Sequence, residues 1–381
     1  MRSKFDLDAS ILSGGELRTL LNSDHISYGE VHSCLKKKGV FIGRSDKSVT
    51  VPLLSATLLT PTEFTDLIEA SVDRESQPKN KVSSIDLVPG GGDWVASLRD
   101  LPLSTKSDLS VDHEAIDFVT MPHVEIESGK VRIPYVINKK DYSKEWLERE
   151  LEFEGEVSIE KKGNALVLEF SSTHSSKETE EINRKIVNQI SKFLKNNNIA
   201  MSSNPRAITF GSFSNIERVR FFKRLTASVQ GRLDLGKVDN IEISLVNSGA
   251  DLPNDPEVSW MKRVVKGLRI SGEKLNDIFL INNEKYYPYY SIQKMDVDYG
   301  FKFKANEGQC RFCFSFSGPG KGVSEQSELV FSCVNLRFKN RVNEFAKKET
   351  SKVIHNSIKD LIEEKYQLML KEREKDKRVD D

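Results

Sequence analysis

The sequence predicts an α+β fold: a small N-terminal helical or winged-helix-like module, a larger mixed domain with antiparallel β-hairpins, and a long C-terminal helix. Three observations carry this. A Ser or Thr followed three residues later by Glu recurs at Ser13–Glu16, Ser27–Glu30 and Thr60–Glu63. Each is a capping box, in which side chain and backbone satisfy each other's orphan groups at a helix start. From Met121 apolar and polar residues alternate around Gly-containing turns, the period of half-buried strands. Between Val342 and Lys375 apolar residues return at helical spacing.

Taken in order, the first helix spans Gly14–Leu21, with Leu17, Leu20 and Leu21 on one face. The second starts at Ser27, carries Val31, Cys34 and Leu35, and ends at Lys36-Lys37-Lys38-Gly39. Cations there favour the helix dipole, and glycine suits the left-handed cap. Val40–Gly43 and Val49–Val51 then flank Arg44–Ser48. They read as a hairpin, or as a loop entering another short helix. A third capped helix, Pro61–Ala70, presents Phe64, Leu67 and Ile68.

Residues 73–120, rich in Ser, Asp, Pro and Gly, read as a linker or irregular segment in which Trp94 docks part of the chain. His123–Ile126 and Lys130–Ile137 form a hairpin around Ser128-Gly129, and Glu156–Lys161 and Ala165–Phe170 a second around Lys162-Gly163-Asn164. Ser143–Phe153 reads as a helix between them. Ser175–Glu178 caps a helix with Ile182, Ile186, Ile190, Phe193 and Leu194 inward. Ile208–Phe210 is a short strand. Ser214–Glu217 caps Asn215–Leu225, which turns Ile216, Val219 and Phe222 inward, with Phe221 a further candidate. Tyr299–Lys304, Gln309–Phe316 and Leu329–Phe338 form a meander whose first turn is Asn306-Glu307-Gly308. The last helix has a stripe of Phe345, Ile354, Ile358, Leu361, Ile362 and Met369, able to pack on the core or to mediate self-association into a homo-oligomer. The domain division is 1–72, 73–120, 121–338 and 339–381.

With 57 basic and 57 acidic side chains in 381 residues, net charge is zero. Whole-chain attraction to nucleic acid is excluded, so any such surface must come from local segregation of charge. The start, Met1-Arg-Ser-Lys-Phe-Asp-Leu-Asp, lacks the apolar core of a signal peptide. No segment reaches the roughly 20 apolar residues of a membrane span. With only four cysteines, the chain reads as a cytoplasmic protein with reduced thiols and no membrane partner.

Two basic segments stand out. Lys36, Lys37, Lys38, Arg44 and Lys47 lie within twelve residues, with Asp46 the only acid. A helix and turn followed by a basic hairpin resembles a winged helix. The same residues resemble the helix–extended-loop–helix pattern of SAP-like DNA-binding modules, over residues 27–70. Either resemblance implies that these cations contact phosphates and add affinity without sequence information. Residues 1–80 as a whole carry ten basic and eleven acidic side chains. In Arg206–Lys237, seven basic residues face only Glu217 and Asp234, and Arg220, Lys223 and Arg224 fall on one helix face. Residues 100–160 hold fifteen acids against seven bases. The second segment is therefore either a nucleic-acid groove or one side of an internal neutralisation.

Three further features bear on chemistry. Glu160-Lys161-Lys162, on a strand after Asp141, resembles the E-x-K of PD-(D/E)xK nucleases, without their preceding Pro-Asp pair. The resemblance implies Mg²⁺ held by carboxylates and water oriented by Lys162. Cys310-Arg-Phe-Cys313 lacks a second pair or a histidine and reads as structural thiols, so no metal or cofactor is expected. Tyr286-Tyr-Pro-Tyr-Tyr290 could stack bases, anchor a partner, or close a strand end. The spacing of the six histidines supports no Ser–His–Asp or Cys–His arrangement.

The expectation that follows is a non-enzymatic, nucleic-acid-binding component of a multi-protein intracellular system, prokaryotic genome defence being one such setting. A protein-interaction or scaffold subunit without nucleic-acid binding is the alternative, and a metal-dependent nuclease using Glu160 and Lys162 the third.

Overall fold

A computed structural model describes residues 12, 14–23, 26–43, 46–75, 79–103, 116–127, 129–140, 150–172, 177–245, 267–272, 275, 278–317 and 322–380. The chain divides into two compact units, 1–79 with 85–205, and 80–84 with 206–381. The division at 205/206 falls inside the stretch expected as one core domain.

The first unit opens with four helices: α1 (Gly14–Asn22), α2 (Tyr28–Lys37), α3 (Lys47–Ser55) and α4 (Pro61–Glu75). Ser27 and Glu30 close the capping box of α2. Thr60 and Glu63 do the same for α4, at 2.8 and 3.3 Å. Ser13 lies outside the described residues. Leu17, Leu20, Leu21, Val31, Leu35, Val51, Leu54 and Phe64 are among the side chains that close one apolar cluster. The hairpin alternative is corrected here: Val49–Val51 is helical, and 14–75 holds no strand among the described residues. The reason is spacing, since Val51 and Leu54, three apart, both reach the cluster only from a helix. Among its described residues the module is therefore helical, with no wing between α2 and α3.

The rest of this unit is an antiparallel sheet with helices on it. Its strands are β2 (Ile116–Thr120), β3 (Glu125–Glu127), β4 (Lys130–Lys140), β5 (Glu150–Lys162) and β6 (Ala165–Ser172). The order is β2-β4-β5-β6, with β3 also on β4. The stretch expected as a linker carries β1 (Lys79–Asp86), α5 (Trp94–Arg99) and β2. Asp93 caps α5 through the Val95 and Ala96 N–H groups, and Trp94 is buried. The helix expected over 143–153 gives way to strand at Glu150–Phe153, which pairs with Ile137–Lys140; 141–149, and with them Asp141, lie outside the described residues. α6 (Lys177–Asn196) covers the sheet with Ile182, Ile186, Ile190 and Leu194 fully buried.

In the second unit, β7 (Arg206–Ala207) and residues 80–84 of β1 pair, replacing the strand expected at Ile208–Phe210. A 3₁₀ turn at Phe210–Ser212 leads into α7 (Asn215–Leu225), capped by Ser214 and Glu217. β8 (Lys237–Leu245), β9 (Gly267–Ser271), β10 (Tyr290–Phe303), β11 (Asn306–Ser317) and β12 (Glu328–Phe338) form an antiparallel sheet. β1 lies next to β12, and the order continues β11-β10-β8-β9. Between β9 and β10 come α8 (Phe279–Asn282) and a 3₁₀ helix at Glu284–Tyr289.

Phe303 pairs with Asn306, so the β10–β11 turn is Lys304-Ala305 and not Asn306–Gly308. Lys304 takes the positive φ of 53°. Gly308 lies instead directly opposite Phe301, where a Cβ would strike that ring and the Arg337 carbonyl. α9 (Glu344–Asp380) packs on α7, and its Ile354, Ile358, Leu361, Ile362 and Met369 are buried within this unit. Phe345, expected in that stripe, is 79 % exposed. Val219, Phe221, Phe222 and Leu225 of α7 are buried, whereas Ile216 is turned outward at 36 % exposure.

Candidate nucleic-acid interface

At the end of α2 the three lysines have different surroundings. Lys36 is exposed and forms no ion pair among the described residues. Lys37 reaches Asp66 at 3.1 Å, but both side chains are at least half exposed. Such a pair is worth little and opens readily. Lys38 is turned inward: its ammonium donates to the Leu58 carbonyl at 2.7 Å and to Glu63 at 2.8 Å. That bond, with the Thr60 N–H, holds the Glu63 carboxyl at about 2. Lys38 therefore ties the end of α2 to the start of α4. Lys47 donates to the Ser23 carbonyl at 2.6 Å and lies 5.5 Å from the centre of the Tyr28 ring. Arg44 lies outside the described residues.

The second basic segment is engaged within its own unit. Arg220 forks onto Glu284 at 3.2 and 2.7 Å. Lys223 points to Asn282 Oδ1 at 3.5 Å. Arg224 donates to Glu372 at 2.8 Å and touches the Met369 sulfur. Arg220 and Arg224 thus have carboxylate partners within their own unit, whereas Lys223 is exposed and meets only a neutral amide.

Arg373, outside both basic segments, and Arg218, one of the seven cations of the second, complete this arrangement. Arg373 of α9 bonds bidentately to Glu217 and to the Ser212 carbonyl. Burial pushes the Glu217 carboxyl up, but hydrogen bonds from Arg373 and Ser214 outweigh it and hold it at about 2. Arg218 is 3 % exposed and donates to Asn215 Oδ1 and to the Phe210 and Phe213 carbonyls at 2.8–2.9 Å. Its burial was legible: position 218 shares a helical face with Phe221, Phe222 and Leu225.

The Glu217 geometry predicts acid sensitivity. A carboxyl held below its ordinary 4.5 contributes stability above that value and loses it as pH falls towards 2. The second unit is expected to lose roughly 2 kcal/mol from this group between pH 5 and 2. Thermal melts across that window should show a shallower fall for Glu217→Gln; equal slopes would refute the assignment.

Glu160 and Lys162 sit at the end of β5, opposite Val167 and Ala165 of β6. No group of three or more His, Cys, Asp or Glu able to hold a metal occurs among the described residues. Cys310 is buried beside Phe312 and Phe314, and burial pushes the Cys313 and Cys333 thiols up to about 12. These are unreactive thiols at neutral pH. Tyr286, Tyr287 and Tyr290 are buried, so this run closes the start of β10 and offers those rings to no base. His32 contacts the Ile42 carbonyl, and His355 stacks on Phe331.

The helical module is where a likeness to known proteins appears. Residues 15–77 match the model of the GAPS4b protein N-terminal domain. That span covers α1 to α4 and stops before β1. No curated protein matches the chain. Among solved structures, the crystal structure of DynU16, a protein of the dynemicin biosynthetic locus, is 8 % identical. It covers 75 % of this chain and 98 % of its own at a TM-score of 0.20, too low to carry an argument. Among the described residues no helix is long and apolar enough to cross a membrane.

Proposed function

We propose that this chain is a cytoplasmic, non-enzymatic component of a multi-protein system, of the genome-defence kind, and that it contacts nucleic acid through its N-terminal helical module. The observation that carries the contact is the end of α2. Lys36 and Lys37 present ammonium groups to solvent there, and residues 28–55 carry five basic against two acidic side chains. This is the electrostatic footprint of phosphate binding, local where the whole chain is neutral. The likeness of 15–77 to the GAPS4b N-terminal domain supports placement in a multi-component system, since that name is the lettered member of a numbered series. DNA is the preferred partner. Arg220 and Arg224 serve instead to fasten α7, through Glu284 and Glu372.

The test is fluorescence anisotropy with duplex DNA, single-stranded DNA and RNA over a salt series. Lys36→Glu/Lys37→Glu should weaken binding about ten-fold or more at low salt and flatten the logarithmic salt slope by about two. Lys38 is left intact because its loss would unpin α4. Binding unchanged by the double reversal would overturn the reading. Absence of binding at low salt would leave a protein-interaction subunit, which the internal pairing of the second basic segment already favours over a two-patch groove.

A further inference from the structure

The module also exposes two aromatic rings that its core does not use. Phe41 is 80 % exposed and Tyr28 56 %. Exposed large apolar side chains in company are the informative case. The chain after α2 explains why they belong together. The Val40 N–H donates to the Leu35 carbonyl, the Ile42 carbonyl meets His32, and Lys47 lies by the Tyr28 ring. Residues 40–42 thus run back along α2 from its last turn, and Lys47 stands beside its first. Val40 and Ile42 are partly buried against the module's apolar cluster. In an extended segment neighbours alternate sides, so Phe41 must face outward. The result is a ridge with Phe41 and Tyr28 along one flank of α2, Lys47 at one end and Lys36 at the other. From Tyr28 to Lys36 is about 12 Å along the helix, the length of three or four stacked nucleotides.

We infer that this ridge holds a single-stranded nucleic acid, with Phe41 and Tyr28 stacking unpaired bases while Lys36 meets the backbone. The inference rests on the nucleic-acid reading above and names the form of the ligand. Duplex bases are already stacked on one another and offer only their edges, whereas an unpaired strand offers free π-faces. Charge alone serves this module poorly, because Lys37 shares Asp66 and Lys38 is taken by Glu63. Stacking supplies affinity that salt does not screen.

The experiment uses the full chain with a 20-nucleotide oligothymidylate, the matching duplex, and an abasic strand of equal charge. Single strand should bind better than duplex, and the abasic strand should bind about five-fold or more weakly than the oligothymidylate. Phe41→Ala should bring the oligothymidylate part of the way to the abasic level and Tyr28→Ala/Phe41→Ala the whole way, neither changing the salt slope, and Phe41→Trp should restore binding. Equal affinity for all three ligands, unmoved by Phe41→Ala, would overturn the stacking inference and leave the phosphate reading standing. No binding to any of them would sink both, and the exposed rings would then belong to a protein contact. Phe41 is 80 % exposed, so its loss should leave the melting temperature unchanged; a large shift would also refute its placement on the ridge.

Discussion

Gly155→Ala is expected to destabilise the first unit by about 3 kcal/mol. Gly155 on β5 lies directly opposite Tyr135 on β4. A Cβ there would come within 2.8 Å of Tyr135 Cε1 and closer still to Cζ and Oη. The ring cannot swing aside cheaply. Its hydroxyl donates toward the Thr179 carbonyl at 2.8 Å and lies 2.9 Å from Asn183 Oδ1, both on α6. Asn183 in turn donates to the Ser171 carbonyl and to Ser172 on β6. Moving the ring therefore strains a buried chain of polar contacts from β4 through α6 to β6. The aromatic ring laid over a cross-strand glycine is a means of fixing register, so the substitution attacks pairing as well as packing. Urea unfolding followed by circular dichroism measures the loss. Tyr135→Phe, which keeps the ring and removes the hydroxyl, should cost about 1 kcal/mol. A Gly155→Ala midpoint equal to that of the parent would show that the ring is not held as described.

Arg218→Ala is expected to cost the second unit about 4 kcal/mol. The guanidinium is 3 % exposed and stands 3.4 Å over the centre of the Phe210 ring. It satisfies the Phe210 and Phe213 carbonyls, at the turn that precedes α7. Removing it takes the Arg218 donor from the buried Phe213 carbonyl and leaves a void beside Phe213, a residue that stacks on Phe221 at 4.9 Å and meets Tyr366 of α9 at 5.7 Å. Burial lowers the Arg218 pKa to about 10, so the side chain stays charged at neutral pH. Arg218→Lys should recover only part of the loss, because a single ammonium cannot fork across three acceptors. Near-UV circular dichroism should lose the aromatic signal of this cluster in the alanine variant. An unchanged spectrum and midpoint would mean that the turn holds itself.

Much of the local structure could be read directly. The capping boxes at Ser27, Thr60 and Ser214 place three helix starts correctly because each is completed within four residues. Hairpins around Gly129 and Gly163 were equally legible, since both glycines take a positive φ between alternating strands. β1 was not legible. Lys79-Asn-Lys-Val-Ser-Ser-Ile-Asp has no apolar run, and its partners on β12 and β7 are more than a hundred residues away in sequence. β8 does not alternate throughout, since Val238 and Ile241 are three residues apart, and its pairing with β10, register shifts included, makes it a strand of a sheet.

The candidate site divides the same way. That lysines gather at the end of α2, and that seven cations crowd Arg206–Lys237, is a matter of residue order. Which of them remain available was decided by partners that folding brings from afar: Glu284 to Arg220, Glu372 to Arg224, and Glu63 to Lys38. By itself the sequence determined the α+β class, the capped helix starts, the hairpin turns and the local excess of charge, because each depends on groups a few residues apart. Only the tertiary structure decided which cations stay free, which tyrosines are buried and that Phe41 faces outward. Those outcomes depend on what packs against each side chain, and the chain order does not contain that.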